Sequence, residues 1–114
     1  MSLKKINTYL DNRGEMKFIN FGLKQQFILY NKKNVVRGIH CSPYGKTITC
    51  LKGSINDFII NIDTCSYTSV ILTENDSIYI PPNHGHCFLS FQEDTQVLYQ
   101  LDGEYDESRE KNIN

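Results

Sequence analysis

The spacing of turn residues is what most limits the folds open to this chain. Short apolar segments, at 26–30, 35–40, 47–51, 55–62, 67–72, 77–80, 87–91 and 97–101, are each cut off by Gly, Pro, Asn, Asp or another polar break. Asn31 opens a polar turn, Ser42-Pro43-Tyr44-Gly45 is a clear break, Asn75-Asp76 turns the chain, and Pro81-Pro82-Asn83 breaks it again. Phe18, Ile19 and Phe21 begin the series. The segments are rich in β-branched and aromatic residues, and none keeps a 3.6-residue period. Strands at such regular spacing predict an all-β sandwich or barrel. Gly53, after Leu51-Lys52, falls where a tight hairpin needs a positive φ. With the proline corner that leads into His84 and His86, it predicts a cupin, a double-stranded β-helix of the jelly-roll type, whose mouth commonly holds a small ligand. At 114 residues a single domain over 1–114 is expected, with a polar tail over about 102–114 that is either a short helix or frayed.

Composition narrows the function classes. A net charge of -1 argues against a nucleic-acid partner, which needs a clustered basic surface. No apolar run approaches the ~20 residues that cross a bilayer, and Met1-Ser2-Leu3-Lys4-Lys5 is not followed by a secretory h-region. A cytoplasmic protein with no membrane partner is expected. Cys41, Cys50, Cys65 and Cys87 form no C-x-x-C pair, so they are expected as reduced core or near-core residues.

One ordered set of polar residues stands inside the β pattern: Arg37-Gly38-Ile39-His40, Gly45-Lys46, His86 and Tyr99. A base, a cation, a second imidazole and a phenol are the groups needed to move a proton on carbon beside a carbonyl. Such a C–H is acidic only when the enolate is stabilised. A neutral imidazole accepts the proton near neutral pH, which suits His40. Lys46 would place charge near the enolate oxygen. Tyr99 would return the proton from the opposite face and so invert the centre. Arg13 and Arg37 suit a diphosphate through forked, charge-assisted hydrogen bonds. Each has a blander use: a satisfied strand histidine, a solvated turn lysine, a sheet aromatic, surface ion pairs.

The same residues resemble the dTDP-4-dehydrorhamnose 3,5-epimerase family. Asp11-Asn12-Arg13-Gly14-Glu15 is similar to its D-x-R-G-x-F segment, and Val36-Arg37-Gly38-Ile39-His40 to L-R-G-L-H. Gly45-Lys46-Thr47-Ile48-Thr49-Cys50 and Leu51-Lys52-Gly53-Ser54-Ile55-Asn56-Asp57 resemble G-K-L-V-R-V and L-x-G-x-V-x-D. Ile80-Pro81-Pro82-Asn83-His84-Gly85-His86-Cys87-Phe88 resembles I-P-P-G-F-A-H-G-F, and Gln96-Val97-Leu98-Tyr99-Gln100 resembles E-F-L-Y-K. The resemblance runs from about Asp11 to Tyr105. It implies an isomerase that epimerises a dTDP-linked 4-keto-6-deoxy sugar at C3, C5 or both. His40, Tyr99 and Lys46 would be catalytic, and Arg13, Arg37, Asp57 and His86 would bind substrate or support the pocket. No metal or organic cofactor is implied, because the ketone of the substrate is the electron sink. His84 matches no family imidazole and is expected at the rim.

The family pattern is departed from in three places. The family holds its base histidine with an aspartate in a W-x-D-P-like segment, and the chain reaches Asn114 before one. Asp57, or a group from a partner subunit, would have to substitute. The stretch Lys32-Lys33-Asn34 before His40 and the Gly45-Lys46 loop are both shortened, which implies a more open mouth. Three other readings remain. A sugar-nucleotide 3,4-ketoisomerase shares R-G-x-H but continues with a second histidine, where this chain has Cys41-Ser42. A metal-dependent cupin would need more donors than His84-Gly85-His86 offers. A non-catalytic sugar-binding cupin is favoured by the missing aspartate. A small jelly roll exposes sheet edges, so a homodimer is expected, with the N-terminal strand exchanged or not.

Overall fold

A computed structural model describes residues 7–19, 26–103 and 111–112. The described residues form eleven strands: β1 (Asn7–Asp11), β2 (Gly14–Ile19), β3 (Gln26–Asn31), β4 (Val36–Cys41), β5 (Lys46–Lys52), β6 (Ile55–Asn61), β7 (Tyr67–Leu72), β8 (Ser77–Ile80), β9 (His84–Ser90), β10 (Thr95–Leu101) and β11 (Lys111–Asn112). Among the described residues there is no helix. The all-β expectation is met.

Two antiparallel sheets face each other. One has the order β1-β2-β3-β10-β5-β8, the other β11-β4-β9-β6-β7. Strand alternation sends every second side chain between them. Phe27 and Leu29 of β3, Ile48 and Cys50 of β5, and Val97, Tyr99 and Leu101 of β10 point inward from the first sheet. Ile55 of β6, Leu72 of β7 and Phe88 of β9 meet them from the second. Phe88 is fully buried, so truncating it to alanine would cost about 3–5 kcal/mol.

Gly53 has φ 82°, as its sequence position predicts. The turn it makes is not a hairpin within one sheet, however. β5 and β6 lie in different sheets, so Gly53 carries the chain across the sandwich. A Cβ there would meet Thr95 Oγ1 at 2.4 Å. The hairpin reading failed because adjacent strands with a short turn look the same whether they pair or cross over.

Other boundaries moved. β9 starts at His84 rather than at residue 87, so both histidines of the H-x-H lie on a strand. The β1–β2 hairpin had no apolar signature beyond Phe18 and Ile19. Tyr9 and Leu10 are 56% and 73% exposed, so this extension buries too little for a period-2 pattern to be required. β1 pairs with β2 within the chain, from Asn7 opposite Phe18 to Asp11 opposite Gly14. In the polar tail, Lys111 and Asn112 pair as strand with Cys41 and His40. Phe21 and residues 104–110 lie outside the described residues. Of the cysteines, none is bridged, Cys41 and Cys50 are buried and Cys87 is half-buried, while Cys65 is exposed in the turn after β6, contrary to expectation.

Candidate active site

A cavity of about 320 Å³ opens between the two sheets. That lies within the roughly 300–1,000 Å³ usual for small-molecule sites. His40, Tyr99, Lys46, His86, Arg37 and Arg13 all line it. Six of the seven residues singled out from the sequence therefore converge on one space. Asp57 does not line it. The side chain is fully buried, behind His86.

Simple alternation would not place both Arg37 and His40 in the cavity, because they are three residues apart on β4. A bulge resets the phase. Against β9, Arg37 pairs with Phe88 and Gly38 with Cys87, Ile39 is skipped, and His40 pairs with His86. The extra residue turns His40 onto the face that Arg37, Phe88 and His86 share. Only glycine fits the bulge: Gly38 has φ 128°, and a Cβ would lie 2.4 Å from that of Cys87.

The two walls of the cavity come from different sheets. On one wall, His40 and His86 are cross-strand neighbours on β4 and β9. On the other, Tyr99 sits on β10 between Phe27 of β3 and Ile48 of β5. Lys46 occupies the next inward position, opposite Leu101. The rings of His86 and Tyr99 meet across the sandwich with centroids 5.8 Å apart. The Tyr99 hydroxyl lies 3.4 Å from His86 Nδ1. The other ring nitrogen, Nε2, bonds the Asp57 carboxylate, a diagonal neighbour on β6. A carboxylate only accepts, so Nε2 carries the proton and Nδ1 keeps its lone pair for Tyr99. The second oxygen of Asp57 is buried with no hydrogen-bond partner among the described residues.

Burial shapes the charge states. It holds the His86 imidazole below its ordinary pKa, with Asp57 pulling the other way and the Lys46 charge adding to the depression. It pushes the Tyr99 hydroxyl well above its ordinary value, and the Asp57 charge pushes further. An isolated phenolate at Tyr99 is thus disfavoured.

Three cations face the same space. Lys46 is 4% exposed and its Nζ donates to Ser42 Oγ at 3.0 Å. Arg37 donates from Nε to Asn31 Oδ1 at 2.5 Å, and Asn31 is anchored on the carbonyls of Leu29 and Thr95. Arg13, in the β1–β2 turn, is held by Asp11 through Nη2 at 2.6 Å. That contact brings the Asp11 carboxyl down to about 2. Burial lowers the Arg37 pKa, and the nearby Arg13 charge lowers it further. Both guanidiniums line the cavity, and although Asp11 pairs with Arg13, like charges on one space are chemistry suited to an anion.

The sequence offers Asp57 as a substitute for the carboxylate beside His40. The structure gives it to His86 instead, because β6 pairs with β9 and not with β4. His84 bonds the carbonyl of Pro82 through Nδ1 at 3.0 Å and is absent from the cavity lining. Sequence reasoning missed Ser42 and Asn31, which orient Lys46 and Arg37. Both stand in segments read only as turns, and no local signal marks them.

The two facing antiparallel sheets, with a cavity between them that carries both apolar and polar side chains, are the jelly roll of a cupin. Within that class the chain belongs to the dTDP-4-dehydrorhamnose 3,5-epimerase family, whose family model matches residues 5–114. A curated dTDP-4-dehydrorhamnose 3,5-epimerase of Mycolicibacterium smegmatis is 30% identical over 104 residues, covering 82% of this chain and 52% of that protein. The chain spans about half the length of the curated relatives it matches first. Among solved structures, the 3'-monoepimerase ChmJ of Streptomyces bikiniensis, in complex with dTDP-quinovose, superposes with a TM-score of 0.76 at 20% identity, covering 97% of this chain and 68% of that one. A Bacillus subtilis oxalate decarboxylase superposes at 0.84 with 16% identity, covering 95% of this chain and 30% of that one. These two likenesses concern the fold.

Proposed function

We propose that this chain epimerises a dTDP-linked 4-keto-6-deoxy sugar at C3, C5 or both. The observation that carries the reading is that His40 and Tyr99 line one cavity from opposite sheets, with Lys46 beside Tyr99. His40 removes the proton next to the ketone, and the electron pair moves into the enolate. Lys46 stabilises the oxygen on which that charge develops. Tyr99 delivers a proton to the other face of the carbon, which inverts it. Arg13 and Arg37 hold the diphosphate. His86 lines the cavity beside His40, and Asp57 fixes it in place. The ketone is the electron sink, so the sequence of proton transfers requires no redox or organic cofactor. The dTDP-quinovose bound by the Streptomyces bikiniensis relative supports a dTDP-linked ligand.

The test is exchange from deuterated solvent into a dTDP-4-keto-6-deoxy sugar. The expected result is deuterium incorporation with inversion. His40→Ala should abolish exchange, and Tyr99→Phe should abolish inversion. Undiminished exchange and inversion in both variants would refute these roles. Exposed apolar side chains on edge strands, Leu10 and Tyr9 on β1 and Tyr67 and Ile71 on β7, support a homodimer. A monomer in sedimentation at working concentration would refute that part.

A further inference from the structure

The Asp57–His86 pair takes no part in the proton transfers between His40, the substrate and Tyr99. A buried carboxylate bonded to a buried imidazole is a costly way to fill a core position, and similar volume could be packed with apolar residues. The pair is aimed. Asp57 takes the proton of Nε2, and this leaves the Nδ1 lone pair facing the Tyr99 hydroxyl at 3.4 Å. Asp57, His86 and Tyr99 are 0%, 2% and 9% exposed, and His86 and Tyr99 both reach the cavity.

Resting on the epimerase reading, we propose that Asp57, His86 and Tyr99 form a proton relay, in which His86 Nδ1 takes up or supplies the proton on one side of the Tyr99 oxygen while the substrate carbon exchanges on the other. When carbon gives up a proton on this face, the C–H electron pair stays in the enolate. The proton binds the Tyr99 oxygen, and the former hydroxyl proton passes to Nδ1. His86 becomes an imidazolium paired with Asp57. When carbon is protonated on this face, the Tyr99 proton goes to the enolate carbon and the Nδ1 proton of the imidazolium moves to the Tyr99 oxygen. His86 ends neutral, and a solvent proton entering through the cavity reloads it. In neither direction does a free phenolate form. Burial makes such a phenolate unfavourable at this position. Asp57 is a positioning residue: it fixes the tautomer and stabilises the imidazolium.

The relay makes a claim about the free protein as well as about turnover. Nitrogen-15 NMR of the ring should show His86 as the Nε2–H tautomer with Nδ1 unprotonated. In Asp57→Asn the amide can donate to Nε2, and Nδ1–H should appear. With sugar nucleotide, Asp57→Asn and His86→Gln should each lower kcat for inversion by about 10²-fold with KM changed less than about 2-fold. Proton removal on the His40 face, read as deuterium wash-in without inversion, should persist. A purely structural pair would lower the melting temperature and leave kcat unmoved in variants that still fold. Near-native circular dichroism therefore qualifies each variant. An Nδ1–H tautomer in the unaltered protein overturns the relay, and so does a flipped tautomer in Asp57→Asn with kcat intact. Should the unaltered protein show neither exchange nor inversion, the epimerase reading fails. The tautomer measurement then still decides whether the pair is aimed as described.

Discussion

The cavity has a buried inner wall and an exposed outer rim, built on different principles. At the inner wall His86 and Tyr99 meet from the two sheets with Asp57 behind: their polar groups bond one another, and the core packs round them. His40 is exposed, on a strand whose outer neighbour is the short β11. Arg13, also toward solvent, is held by Asp11 in a hairpin turn. The buried wall is fixed by folding itself, so its geometry is set before any ligand arrives. The outer groups stand against solvent, so less of the core depends on them. Loss of the Asp57–His86 hydrogen bond should therefore reach stability, and damage to the outer groups should reach binding or rate alone.

The largest effect is expected at the inner wall. Asp57→Ala removes the acceptor that the buried Nε2–H of His86 needs and should cost about 1.5–3 kcal/mol of folding stability, read by urea denaturation. A loss below about 1 kcal/mol would show that the inner wall is not structural. Tyr99→Phe keeps the ring and its stacking on Phe27 at 5.2 Å, so it should fold normally while inversion slows by about 10²–10⁴-fold. Comparable loss of stability would erase the distinction between aromatic packing and hydroxyl chemistry. Arg13→Ala should raise KM about tenfold with little change in kcat or melting temperature, since exposed ion pairs contribute roughly 0–1 kcal/mol. A collapse of kcat would mean that Arg13 acts in the chemistry.

The smallest effect is a pH dependence of stability. The folded pKa of His86 lies below its ordinary 6.5. As pH falls through that ordinary value, the unfolded chain takes up a proton that the folded chain refuses. His86 thus lowers stability progressively on the acid side of about 6.5, until its folded pKa is reached. His86→Gln should flatten thermal stability in that window. Asp11, with its carboxyl near 2, acts in the same direction in a lower window: its contribution holds above about 4 and is lost as pH falls toward 2. An unaltered profile in His86→Gln would show that other groups govern acid sensitivity.

Much of this protein is local. Turn residues and β-branched segments announced the core strands, because each strand writes its own period into the chain. The motifs around Arg37, His40, Lys46, His86 and Tyr99 announced the cavity side chains, because the chemistry needs those residue types. Ser42 and Asn31 were illegible, since their hydrogen-bonding partners lie outside any pattern read along one strand. The β1–β2 hairpin was illegible for the opposite reason: it buries too little to need a pattern.

The order of amino acids thus determined the strands, their inward faces and the inventory of acids, bases and cations. Tertiary structure decided which of these groups meet. It sent Gly53 across the sandwich instead of into a hairpin, and it placed a bulge at Gly38–Ile39 that turns His40 toward the cavity. It also gave Asp57 to His86 rather than to His40. Register and sheet order depend on contacts between residues far apart in the chain, and a bulge of one residue reverses which side chains face the core.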